Sequence, residues 1–111
     1  MIKFFAVDRF QYIMSSVTVI NANLYGPFYS QTEAMKHQFE IKKTNDVTLQ
    51  DLIESILKKF PNVEELIFEG NSLAENCMIV VNGEIVGENE WRTLLISPTD
   101  RISFFQGQHG G

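Results

Sequence analysis

The stretch VTLQDLIESILKKFP, residues 47–61, limits how the rest of the chain can be arranged. Its apolar residues recur at the three- and four-residue spacing of one face of an α-helix. These residues are Leu49, Leu52, Ile53, Ile56, Leu57 and Phe60. Thr48 is a preferred N-cap residue, and Pro61 cannot continue a helix. The spacing therefore predicts an amphipathic helix that must bury one face against another element.

Short segments rich in β-forming residues precede this helix. Residues 2–7 are almost entirely apolar, which predicts a buried central strand. Residues 17–20 favour a further strand. Phe39 and Ile41 alternate with polar neighbours, which predicts a strand at the edge of the sheet.

Two more strand signals follow the helix. Residues 77–81 and 84–86 flank Asn82-Gly83, and Asn-Gly between two β-rich segments is a strong signal for a tight hairpin. Residues 101–105 predict a last strand directly before the C-terminal residues. The order of elements predicts an α+β fold, in which one main helix packs on one face of a mixed sheet.

The length of 111 residues, 44% of them hydrophobic, favours a single domain over residues 1–111. Within it we expect an extended insertion after the first strand, in the irregular stretch 8–36, and a flexible tail over residues 106–111. The aromatic residues of the insertion either dock a partner or pack on the local core. They are Phe10, Tyr12, Tyr25, Phe28 and Tyr29.

The charge of the chain argues against nucleic acid as a partner. Its formal net charge is −5, and between Glu64 and Asp100 the only base is Arg92. An acidic surface of this kind repels phosphate backbones. The acids either face a basic protein partner or simply form a solvated surface.

Cysteine use and hydropathy indicate a cytoplasmic protein. Cys77 is the only cysteine, so no intramolecular disulfide framework and no zinc-binding spacing of Cys and His is present. Its apolar neighbours predict a buried, unreactive thiol. No apolar run approaches the roughly 20 residues that cross a bilayer, so we expect no membrane contact.

The sequence offers no catalytic cluster, which favours a carrier or a non-catalytic subunit over an enzyme. The two histidines, His37 and His109, are interpreted as solvated residues, and Glu64-Glu65 as a solubilising pair on a surface turn. No metal site is predicted.

The C-terminal Gly110-Gly111 is the remaining unusual feature. Residues without a Cβ enter narrow channels that exclude other side chains. From Gly107 the chain extends at most roughly 17 Å, enough to present its terminal carboxylate inside another protein. The alternative is an ordinary frayed terminus.

Four segments in this order resemble the MoaD/ThiS family of β-grasp (ubiquitin-like) sulfur carriers, and in particular the small subunit of molybdopterin synthase. Phe4-Phe5-Ala6 with Arg9 is similar to the first strand of the family, and residues 47–61 to its helix. Val81-Asn82-Gly83-Glu84 is similar to its hairpin. Phe104-Phe105 followed by Gly110-Gly111 is similar to its last strand and activated terminus.

The resemblance implies that a partner enzyme uses ATP to adenylate the carboxylate of Gly111, which is the predicted reacting site. A sulfur donor then converts the acyl-adenylate into a thiocarboxylate, while the carrier itself binds no cofactor. Gly110 gives access to the partner. The predicted partner-binding residues are Gly110, His109, Phe104 and Phe105.

The acceptor implied by the resemblance is a synthase such as the large subunit of molybdopterin synthase, with a thiazole synthase of thiamine biosynthesis as the other choice. Thr99-Asp100 and residues 106–109 depart from the Gly-Asp and the Pro-containing tail that are usual in the family. Two other functions stay open. One is a ubiquitin-like modifier joined to lysines through Gly111, and the other is a β-grasp interaction module whose Gly-Gly end is incidental.

Overall fold

The computed structural model describes residues 16–107, whose framework is a five-stranded sheet with a helix packed on one face. The first part of the chain contains β1 (Thr18–Leu24), α1 (Pro27–Thr32), β2 (Lys36–Ile41) and α2 (Leu49–Lys59). A 3-10 turn (Pro61–Val63), α3 (Glu64–Ile67), β3 (Phe68–Glu69) and β4 (Ser72–Leu73) follow. The last part contains β5 (Cys77–Val81), β6 (Glu84–Ile85) and β7 (Ile102–Gln106).

The sheet is mixed, with strand order β2-β1-β7-β5-β6. At its centre β7 runs parallel to β1 and antiparallel to β5. β2 and β6 form the two edges, each antiparallel to its neighbour. β3 and β4 form a separate two-stranded sheet. This arrangement confirms the α+β, β-grasp prediction.

The main helix begins and ends where the sequence predicts. The Thr48 hydroxyl accepts the N–H of Asp51 at 3.2 Å, and the Asp51 carboxylate accepts the N–H of Thr48 at 3.0 Å. This reciprocal capping box satisfies two N–H groups that an α-helix leaves free at its start. The helix ends at Lys59, and Pro61 starts the 3-10 turn.

The apolar face of α2 forms the core together with alternate residues of the sheet. Leu49, Leu52, Ile53 and Ile56 are each at most 1% exposed, as are Ile20, Ile79 and Phe104 on the strands. Because successive strand residues point to opposite faces, the intervening residues lie on the face away from α2. We call this second surface the open face.

The Asn82-Gly83 turn has the backbone that the hairpin signal requires. Both residues have positive φ, 52° at Asn82 and 87° at Gly83. Two positive φ values are typical of the turn whose twist matches the flanking strands. The predicted hairpin of β5 and β6 is therefore confirmed.

The position of the first strand needs a correction. Residues 2–7, which we assigned to that strand, lie outside the described residues. The place beside β7 and parallel to it is taken by β1, Thr18–Leu24. Residues 8–36 were interpreted as an insertion, but their described part belongs to the framework of the fold. It forms β1 and α1, and residues 25–35 connect β1 to β2.

The aromatic residues of this stretch divide between core and surface. Phe28 is fully buried, whereas Tyr29 is half exposed. Phe10 and Tyr12 lie outside the described residues. The described aromatic residues therefore do not share one role, either docking or core packing, as the sequence analysis assumed.

We expect Thr48→Ala to lower the free energy of unfolding by about 1 kcal/mol, because the Asp51 N–H loses its acceptor. Urea unfolding followed by circular dichroism measures this change. Thr44→Ala is the matched control, since Thr44 is exposed and lies outside the helix. Equal stability of the two variants would contradict a stabilising cap.

The pH dependence of stability tests the role of Asp51. Partial burial acts to raise the pKa of this carboxyl, but hydrogen bonds from Lys43 and Thr48 and the charge of Lys43 outweigh it and hold the pKa below 3.8. A carboxyl whose pKa is lower in the folded state stabilises that state fully when the pH is above its unfolded-state pKa. This stabilisation is lost as the pH falls through the folded-state pKa.

The stability advantage of the wild-type chain over Asp51→Asn should therefore shrink as the pH is lowered through about 4 and below. Urea midpoints at a series of pH values measure it. Asp46→Asn removes an exposed acid that forms no ion pair within residues 16–107, and serves as the control. An advantage that grows on acidification would contradict this assignment.

Candidate functional site at the root of the C-terminal tail

The chain approaches its C-terminus from the centre of the sheet. Gln106 is the last residue of β7, and the N–H of Gly107 still donates to the carbonyl oxygen of Asn76 at 2.6 Å. Gln106, predicted as the first residue of the flexible tail, therefore belongs to the sheet, and Gly107 is hydrogen-bonded to Asn76, directly before β5. Gly111, Gly110 and His109 lie outside the described residues.

Phe104, predicted as a partner-binding residue, belongs to the core. Its side chain is fully buried, and its ring meets that of Phe28 edge-on at a centroid distance of 5.8 Å. It faces α2 rather than solvent, because it occupies the inward position of β7. Its side chain has no surface to offer a partner, so the sequence-based assignment is wrong in this respect.

Phe105, the next residue, lies on the open face. Its ring stacks on that of Tyr25 with centroids 4.7 Å apart and planes 6° apart. Tyr25 follows β1 directly, and its N–H donates to the carbonyl oxygen of Phe104 at 3.0 Å. Parallel pairing of β1 with β7 thus brings the two rings together beside the tail root.

Met78 completes an apolar surface next to Gly107. It pairs with Phe105 across β5 and β7. A Cβ added at Gly107 would lie 3.0 Å from the Met78 Cε, which is closer than ordinary van der Waals contact. We call Tyr25, Met78 and Phe105 the root patch. Sequence analysis named Tyr25 only within the aromatic set that either docks a partner or packs on the core, and it missed Met78.

Cys77 lies at the root but is not suited to carry chemistry. It pairs with Gln106 in the β5–β7 register. Burial raises the pKa of its thiol to about 12. Because the thiolate is the reactive form, a thiol of this kind is a poor nucleophile at neutral pH. Cys77 is only partly buried, so the predicted full burial is wrong, whereas the raised pKa supports its interpretation as an unreactive thiol.

His37 is buried, so its interpretation as a solvated residue is wrong. Its Nε2 lies 2.7 Å from the carbonyl oxygen of Ala34 and 3.2 Å from the Thr32 hydroxyl. A carbonyl oxygen only accepts hydrogen bonds, so Nε2 carries a proton and donates it to Ala34. His37 therefore connects the start of β2 to the end of α1 by hydrogen bonds.

Within residues 16–107, no three His, Cys, Asp or Glu side chains are grouped to hold a metal ion.

Three acids of the acidic stretch have structural roles. Glu88 accepts the N–H of Leu73 at 2.7 Å and pairs with Arg92 at 3.1 Å. The hydrogen bond from Leu73 lowers the pKa of Glu88 against the opposing effect of burial, and Trp91 and Arg92 lower it further. Glu90 and Asp100 accept backbone N–H groups of Gly87 and Ser97. These three acids hold connections in place and do not simply raise solubility.

The model of the ThiS family matches residues 24–111, from the end of β1 through the last residue. The chain belongs to the ThiS family. This ThiS-family match covers β7, the root patch and the Gly110-Gly111 end together. Among curated proteins, none matches the chain.

Solved structures share the fold at low sequence identity. Small archaeal modifier protein 1 of Methanosarcina acetivorans has a TM-score of 0.67 and 18% identity, over 86% of this chain and 98% of the other. A putative molybdopterin converting factor subunit 1 of Pyrococcus furiosus has a TM-score of 0.62 and 22% identity, over 82% and 99%. The Amycolatopsis orientalis BexX/CysO complex contains a chain with a TM-score of 0.64 and 14% identity, over 83% and 99%. These likenesses confirm the ubiquitin-like β-grasp fold.

Within residues 16–107, no helix has the length and apolar character needed to cross a bilayer.

The stack of Tyr25 on Phe105 should couple the two residues energetically. We expect a double-mutant cycle with Tyr25→Ala and Phe105→Ala to give a coupling energy of about 0.5–1.5 kcal/mol in urea unfolding. A cycle of Phe105→Ala with Tyr29→Ala is the control, because Tyr29 is exposed and does not stack on Phe105. Similar coupling in both cycles would contradict a specific contact.

Proposed function

We propose that this protein is a sulfur carrier whose working group is the carboxylate of Gly111. The observation that carries this proposal is the family match through residue 111, which makes the Gly-Gly end part of the family's domain. The fold supports the proposal, since the tail continues from the central strand and the root patch offers an apolar surface beside it.

The proposed reaction takes place in partner enzymes. The carboxylate of Gly111 attacks the α-phosphate of ATP bound to an activating enzyme, which forms an acyl-adenylate and releases pyrophosphate. Hydrosulfide-level sulfur then attacks the acyl carbon, the C–O bond to AMP breaks, and the products are a thiocarboxylate, AMP and a proton. Where the donor is a persulfide, the acyl disulfide that forms first is cleaved by a thiol, which is oxidised to a disulfide as the thiocarboxylate is released. The carrier provides the reacting group and binds no cofactor of its own.

Each part of the chain has a defined task in this scheme. Gly110 and Gly111 fit a narrow channel because they carry no side chain. The root patch of Tyr25, Met78 and Phe105 docks on the partner at the mouth of that channel. Among the partner-binding residues expected from the sequence, His109, Gly110 and Phe105 keep this proposed role.

The acceptor that we favour is a synthase of molybdopterin formation. One structure with this fold is named a putative molybdopterin converting factor subunit 1, and another was determined as a complex of CysO with BexX. Both names support a subunit that works in contact with a partner protein. Transfer to a thiazole synthase is the alternative acceptor within the same chemistry.

A modifier function is the second candidate, because other structures with this fold are small archaeal modifier proteins. In that case Gly111 forms an isopeptide bond with lysines of target proteins. The two functions share the activated terminus and differ in what accumulates: a small thiocarboxylate species, or a ladder of heavier conjugates.

Mass spectrometry of the C-terminal tryptic peptide, residues 102–111, tests the proposal on protein isolated with its native activating system. We expect a mass gain equal to the exchange of one oxygen for sulfur. This peptide contains neither Met nor Cys, so the gain cannot arise from oxidised methionine or a modified thiol.

A chain that lacks Gly110 and Gly111 is the matched control and should show no such gain. Gly111 found attached to lysines of other proteins would favour the modifier function. An unmodified carboxylate in the presence of activating enzyme, ATP and sulfur donor would overturn the proposal. A truncated chain that keeps its cellular function would instead favour a plain interaction module.

A further inference from the structure

A second concave surface lies at the end of the sheet opposite the tail root. β7 pairs with β5 from Ile102 opposite Val81 to Gln106 opposite Cys77, so the hairpin turn and the tail root lie at opposite ends of these strands. At the rise of an extended strand the two ends are about 13 Å apart. The concavity encloses about 290 Å³ between the β5–β6 hairpin and the connection to β7. We call it the hairpin pocket.

The two most exposed large apolar side chains of the described residues line this pocket. Ile85 is 67% exposed and Leu95 is 61% exposed. Single exposed apolar residues are common on protein surfaces, but two that line one concavity form a small apolar patch. No side chain within residues 16–107 covers them.

The exposure of Leu95 is fixed by the backbone on both sides of it. The carbonyl oxygen of Leu94 accepts the N–H of Leu49 at 2.8 Å, and the N–H of Ile96 donates to Val47 at 2.9 Å. Ile96 is buried. Leu95 therefore points outward from a segment that is tied to the start of α2. A backbone segment held in this way loses little conformational entropy when a partner binds.

Ile85 is held in a similar manner by the hairpin. It pairs with Val80 of β5, and the N–H of the following Val86 donates to Ile79 at 2.8 Å. The apolar floor of the pocket thus belongs to ordered framework on both sides.

The charged residues that line the pocket are all acids. They are Glu84, Glu90 and Asp100. Asp100 is fixed by hydrogen bonds from Asn82 and Ser97, at 2.9 and 2.7 Å. Arg101, the adjacent base in the chain, forms no ion pair with them within the described residues. Their negative charge is therefore not neutralised by a neighbouring base at salt-bridge distance.

We propose that the hairpin pocket binds a basic segment of a partner protein. The segment places one apolar side chain between Ile85 and Leu95, and its Lys or Arg residues lie beside the carboxylates of the rim. Phosphate-bearing ligands are disfavoured by the same carboxylates. The site is separate from the root patch, so a partner bound here leaves the tail free to enter a second protein.

The test is an NMR titration of the full-length ¹⁵N-labelled chain with short synthetic peptides. The probe peptide has a leucine flanked by lysines, and two comparison peptides replace the leucine by serine or the lysines by glutamates. We expect saturable shifts of amides around Ile85 and Leu95 with the probe, and affinities at least about tenfold weaker with each comparison peptide.

Matched variants locate the binding site. Leu95→Ser and Glu84→Lys should each weaken binding of the probe by about tenfold. Val19→Ser and Glu65→Lys make the same changes at exposed residues outside the pocket, and should leave the affinity unchanged. All four positions are exposed, so the dispersion of the spectra should stay native and will verify folding.

Absence of saturable shifts at the pocket with probe concentrations up to about 1 mM would overturn the proposal. Equal losses in Glu84→Lys and Glu65→Lys would do so too, because they would indicate only attraction to net charge. Self-association that Leu95→Ser abolishes would instead assign the pocket to a second copy of the chain. The titration needs no chemistry at Gly111, so its outcome is independent of the proposed sulfur transfer.

Discussion

The position of β7 between β1 and β5 is the constraint on which the other features depend. β7 is hydrogen-bonded on both sides, and its inward face packs in the core beneath α2. That face must therefore be apolar, whereas the opposite face can be more polar. This alternation sends Phe104 into the core and Phe105 to the open face. It also fixes where the tail leaves the domain.

The central position of β7 also places different features at the two ends of the sheet. At one end β1, β7 and the start of β5 meet, and the root patch forms where their side chains converge. At the other end the hairpin and the connection to β7 are tied to the start of α2 through Val47 and Leu49. The backbone hydrogen bonds that tie this connection to the start of α2 therefore also direct Leu95 outward.

Sequence reasoning succeeded where a local pattern determines the structure by itself. The period of residues 49–60 and the Asn82-Gly83 turn belong to this class, because a helix period and two positive φ values leave few alternatives. The segment that forms the strand beside β7 could not be chosen from the sequence, because residues 2–7 and 17–20 both favour strands and strand propensity does not identify the partner of β7. That choice depends on long-range pairing, which no local pattern encodes.

The candidate site also combines features that a local sequence pattern predicts with features that depend on long-range pairing. The Gly-Gly end could be found from the sequence, whereas the stacking of Tyr25 on Phe105 depends on residues that are 80 positions apart and meet only through the β1–β7 register. His37 was misjudged for a related reason. Its burial follows from the carbonyl oxygen of Ala34 and the Thr32 hydroxyl, which the turn between α1 and β2 brings to it.

The central position of β7 also determines how the domain responds to mechanical force. A pull on the tail is directed along β7, so it loads the hydrogen bonds to β1 and β5 in shear. Many bonds must then break together, whereas an edge strand could be peeled away one bond at a time. A protein machine that pulls on this chain from its C-terminal side therefore first loads a strand that is hydrogen-bonded on both sides.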